Sequence, residues 1–76
     1  MDTKETKQER FVRIAEARTN KIIDMIRLLG NCSNKANYTY TEEEVKKIFS
    51  AIEAELKSAK NKFAEAEVTD RTFKLH

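Results

Sequence analysis

Proline is absent from this chain and glycine occurs once, so nothing in the composition imposes kinks or a series of tight turns. A single cysteine rules out an internal disulfide. Together with the single histidine, His76, it cannot supply the four ligands of a structural zinc ion. No stretch approaches the roughly 20 apolar residues needed to cross a bilayer, and charges are spread through the N-terminal part, so neither a membrane span nor a secretory leader is expected. Signatures of chemistry are missing too: there is no glycine-rich phosphate loop, nucleophile elbow or cluster of metal ligands. These absences describe a cytoplasmic chain that is not an enzyme and takes no cofactor.

What is present is one small domain, 1–76, with 1–5 and 69–76 expected as loosely packed ends. A chain of 76 residues hides only about 60% of its unfolded surface. Without a disulfide or a metal, self-association is the expected support. The net charge is +2 with 37% charged residues, which describes a mixed, solvated surface rather than a strongly basic one. Residues 1–29 carry 7 basic and 5 acidic groups and residues 42–67 carry 5 basic and 7 acidic, an asymmetry that favours the two segments lying against each other.

Both segments read as helix. Phe11, Ala15, Arg18, Ile22, Met25 and Leu29 fall at alternating gaps of four and three, as do Val45, Phe49, Ile52, Leu56, Ala59, Phe63 and Ala66. Each series draws one stripe along one helix. Read backwards, the second stripe matches the first layer by layer, with Leu29 opposite Val45, Ala15 opposite Ala59 and Phe11 opposite Phe63. The spacing predicts an all-α fold, an antiparallel two-helix hairpin over about 6–29 and 42–67 with a twelve-residue connection, 30–41, packed at a shallow coiled-coil angle.

Gly30 stands where a helix end favours a residue able to take positive φ, so the first helix is expected to stop at Leu29. Thr41 with Glu44 has the spacing of a capping box for the second helix, and Tyr40 with Val45 that of a hydrophobic staple. Thr6 with Glu9 offers a box for the first helix, with Asp2 and Glu5 in competition. Connections between antiparallel helices usually run about 2 to 8 residues, so 30–41 has residues to spare.

The second stripe spans about 100° of its helix, which one neighbour can cover. The first helix is wider. Val12, Ile14, Ile23, Ile26 and Leu28 flank its stripe and extend the apolar arc to roughly 220° on a 100° per residue projection. That surplus is the candidate dimer or partner face. Two hairpins joined along it would form a homodimeric four-helix bundle, and an unidentified protein partner is the other reading.

Few residues invite a chemical role. Arg18, the one charge inside the first stripe, is expected to pair with Glu53 or Glu55 at the rim; with Tyr38 and Tyr40 it is also a candidate for partner binding. Cys32 follows a helix C-terminus, where the dipole disfavours a thiolate. Glu42, Glu43 and Glu44 are explained by capping. For nucleic acid the candidates are Arg10, Arg13, Lys21 and Arg27 with Lys35 in the connection, but Glu9, Glu16 and Asp24 interrupt the series.

The segments RLLGNCSN and YTYTEEEVKKIF, within residues 10–63, resemble short helical proteins encoded on integrative, conjugative or phage elements of Gram-positive bacteria. The resemblance implies an accessory protein in a bacterial cytosol that acts by binding DNA, host proteins or defence machinery. It brings no site residues with it. The expected function is therefore a small protein–protein interaction module, with a DNA-associated accessory protein as the alternative.

Overall fold

The structure, a computed structural model, describes the backbone of residues 4–72 and the side chains of residues 4–67. Two α-helices follow one another, α1 over Lys7–Asn31 and α2 over Glu42–Thr72, with no strand among the described residues. This agrees with the all-α class and the helix–connection–helix order expected of a helical hairpin. The chain divides into two units between Thr39 and Tyr40.

Helix α1 is 25 residues long and starts where its capping box places it. The Thr6 hydroxyl accepts from the Glu9 N–H at 3.0 Å, and the Glu9 carboxylate accepts from the Thr6 N–H at 2.9 Å. Two otherwise unpaired donors of the first turn are thus satisfied reciprocally. The competing start is not used: Glu5 turns its carboxylate to Arg13 instead, and Asp2 lies outside the described residues.

The far end of α1 corrects the expectation for Gly30. The helix runs past it to Asn31, and among the described residues none, glycine included, has positive φ. Termination is achieved by tightening. The Cys32 N–H donates to Leu29 O and the Ser33 N–H to Gly30 O, both at 3.0 Å, while Cys32 itself keeps a right-handed backbone. Bonds of this three-residue type satisfy the last carbonyls without a left-handed residue, so glycine's conformational freedom is not called upon.

The connection, residues 32–41, is hydrogen-bonded rather than slack. Asn34 organises it: its side-chain oxygen accepts from the Ala36 N–H at 2.9 Å, and its carbonyl accepts from the N–H groups of Asn37 and Tyr38. Asparagine suits this role because its short amide competes with helix for nearby backbone donors. Its surplus length is accounted for by this added turn.

Helix α2 is 31 residues long and continues through Thr72, beyond the end near residue 67 that its stripe suggests. Glu67 and Arg71 favour helix, and no proline or glycine after Ala66 stops it. Residues 73–76 of the expected loose tail lie outside the described residues. At the start, the Thr41 hydroxyl accepts from the Glu44 N–H at 3.1 Å and Glu44 accepts from the Thr41 N–H at 2.8 Å. Tyr40 and Val45, the staple pair, are both half-buried.

Among the described residues none is buried. Backbone bonding and caps define each helix, while Phe11, Ile22 and Met25 of the first stripe and Phe49, Leu56 and Phe63 of the second are exposed. Thr41→Ala removes one half of a reciprocal cap and should cost about 1 kcal/mol of helix stability, whereas Thr41→Ser retains the oxygen and should be close to neutral. Urea unfolding followed by far-ultraviolet circular dichroism measures both; equal loss for both substitutions would mean that the hydroxyl does not cap α2.

The wide apolar face of helix α1 as candidate functional site

Helical spacing sorts the side chains of α1 into rows. Phe11, Ala15, Ile22, Met25 and Leu29 form the central stripe. Val12, Ile23 and Ile26, with Thr19 and Gly30, form a band on one side of it. Ile14 and Leu28 lie on the other side. The surplus residues are open to different degrees: Val12 is 39% exposed, Ile23 40%, Ile26 46% and Leu28 58%, while Ile14 is half-buried among its neighbours on the helix. Large aliphatic side chains at these levels resemble one half of an interface more than the surface of an isolated domain.

The charges of α1 are sorted as well, which the linear order conceals. Lys7, Arg10, Arg18 and Lys21 project along the Ile14 and Leu28 edge or into the stripe, with no acidic residue among them. Glu9, Glu16 and Asp24 occupy the opposite side together with Arg13 and Arg27. The candidates for nucleic-acid contact are therefore not brought together: Arg10 and Lys21 share one edge, Arg13 and Arg27 lie on the other, and Lys35 is in the connection.

Arg13 is moreover already engaged. Its guanidinium donates to both oxygens of Glu5, Nε to Oε2 at 2.7 Å and Nη2 to Oε1 at 2.9 Å. This fork-to-fork pair fastens the residue before the N-cap to the second turn of the helix. Arg27 has only a looser approach to Asp24, at 3.8 Å. Arg18 is exposed and makes no hydrogen bond or ion pair within its own helix.

In the connection, Tyr38 is 51% exposed and Tyr40 is half-buried, so Tyr38 is the more accessible ring of the two. The Cys32 thiol is exposed and lies 3.9 Å from the Leu28 carbonyl, to which it donates. Concavities lie open along single helices, one beside Val12 and Glu16 and another beside Ala59 and Phe63. Among the described residues no group of three or more acidic, histidine or cysteine side chains could hold a metal, and no helix is long and apolar enough to cross a membrane.

No protein-family model, curated protein or solved structure matches this chain.

The Glu5–Arg13 pair and the Asn34 turn are the features that sequence spacing did not reveal. A separation of eight residues is outside the usual helical pairing rule, because Glu5 precedes the helix and folds back over it. The guanidinium hydrogen bonds hold the Glu5 carboxyl below its ordinary value, outweighing a smaller opposing effect of desolvation. The contribution of this pair is therefore fully present above the ordinary glutamate range and is lost as pH falls through the lowered value. Nuclear magnetic resonance titration of Glu5 should show a midpoint that rises to the ordinary range in Arg13→Gln; identical midpoints in both proteins would mean that the pair does not persist in solution.

Proposed function

We propose that this chain is a small helical interaction module whose working surface is the wide apolar face of α1, used first for homodimerisation and, through the same face and the connection, for docking a protein partner. The observation that carries this reading is the exposure of Val12, Ile23, Ile26 and Leu28 beyond a central stripe that is itself exposed. One neighbouring helix has the width to cover the stripe and not the remainder. A four-helix bundle of two chains supplies the missing cover and doubles the thin core of a 76-residue protein.

Nucleic acid is the weaker alternative. The basic residues of α1 are split between two sides, two of the five candidates approach acidic partners, and the net charge is only +2. An accessory role on a mobile element is compatible with a module of this size.

Light scattering after size exclusion should give about twice the chain mass of 8.9 kDa. Ile26→Asp places a charge within the apolar arc and should weaken association by at least about tenfold, whereas Lys47→Asp on α2 should leave it within about twofold. A wild-type monomer at high concentration, or equal effects of the two substitutions, would remove the proposal.

A further inference from the structure

The two sides of the α1 arc differ in how they can meet a second copy. Along the Ile14 and Leu28 edge the charges are Lys7, Arg10, Arg18 and Lys21, so two copies placed edge to edge there would repel. The Val12, Ile23 and Ile26 band is bordered on one flank by both signs, Glu16 and Arg27, about three turns apart. Glu16 makes no hydrogen bond or ion pair among the described residues, and Arg27 has only the 3.8 Å approach to Asp24, with its side chain 77% exposed. Both are available.

Resting on the interaction-module reading above, we propose that the occupant of this band is the same band of a second copy, running antiparallel about a two-fold axis near Lys21 and Ile22. In such a pair each flank faces its own equivalent, reversed in direction. Glu16 then meets the partner's Arg27 while Arg27 meets the partner's Glu16, two bridges from one symmetry operation. Parallel pairing would instead lay this flank against the partner's other, uncharged flank, beside Ala15 and Ile22, and would form neither bridge. The overlap runs from about Val12 to Asn31, roughly 30 Å of helix. Ile23 packs across the axis on the partner's Ile23, and Ile26 beside the partner's Thr19.

The same register accounts for Gly30. Helical glycine costs up to about 1 kcal/mol relative to alanine, and this one lacks the positive φ that would justify it. A Cβ added there would meet nothing within 4 Å in the isolated chain. In the antiparallel pair Val12 lies opposite the partner's Gly30, at each end of the overlap. The notch allows the two helices to approach closely, and it is filled from the other copy.

Charge reversal on the full chain tests the register, with dimer dissociation constants measured by sedimentation equilibrium. Glu16→Arg and Arg27→Glu should each weaken the dimer about tenfold, and the double variant should return to within about threefold of wild type. Gly30→Leu should raise helicity yet weaken the dimer, because it improves helix propensity while blocking the notch. If wild type dimerises and Ile26→Asp disrupts it, but the double variant is as weak as the two single effects combined, the register is wrong while the module reading stands. If single reversals have no effect, the band is not the contact. A monomeric wild type would overturn both.

Discussion

An α-helix satisfies its own backbone, but it cannot remove its own side chains from water, and that limit governs this protein. Burying a large aliphatic or aromatic side chain is worth about 1.5–3 kcal/mol. Several such side chains remain open on α1 alone, and together they represent a free energy comparable to the roughly 5–15 kcal/mol that holds an ordinary domain. The exposed ion pairs present here are screened by water and contribute little net stability. Apolar burial therefore decides whether association occurs, and charge decides its orientation.

The division of labour is visible along α1. Its central stripe is complementary in spacing to that of α2, and the surplus on both sides goes further than a single neighbour can use. One side carries basic charge only, and the other carries both signs in an order that a two-fold axis makes complementary. A helix built merely to be soluble would have no reason to segregate its acids from Lys7, Arg10, Arg18 and Lys21.

The residues that control local geometry were legible in the sequence. Thr6 with Glu9 and Thr41 with Glu44 act through contacts three residues apart, and apolar periodicity reports helix directly. What escaped depends on competition between local solutions. Gly30 resembles a helix terminator until Cys32 and Ser33 supply donors that end the helix another way. Asn34 becomes a turn organiser only because Ala36, Asn37 and Tyr38 follow at the right distance. The candidate face was legible in the helical spacing of its apolar residues, whereas its two distinct edges depend on Glu9, Glu16 and Asp24, which interrupt the basic series along the chain yet project away from Lys7, Arg10, Arg18 and Lys21.

The central claim, that the α1 face is covered by association, makes stability depend on concentration. The most direct measurement is the thermal midpoint of the helical circular-dichroism signal across a hundredfold range of protein concentration. A midpoint that climbs steadily with concentration is the predicted result. A cooperative transition at one fixed temperature throughout would show that the chain completes its fold alone, and would contradict the account.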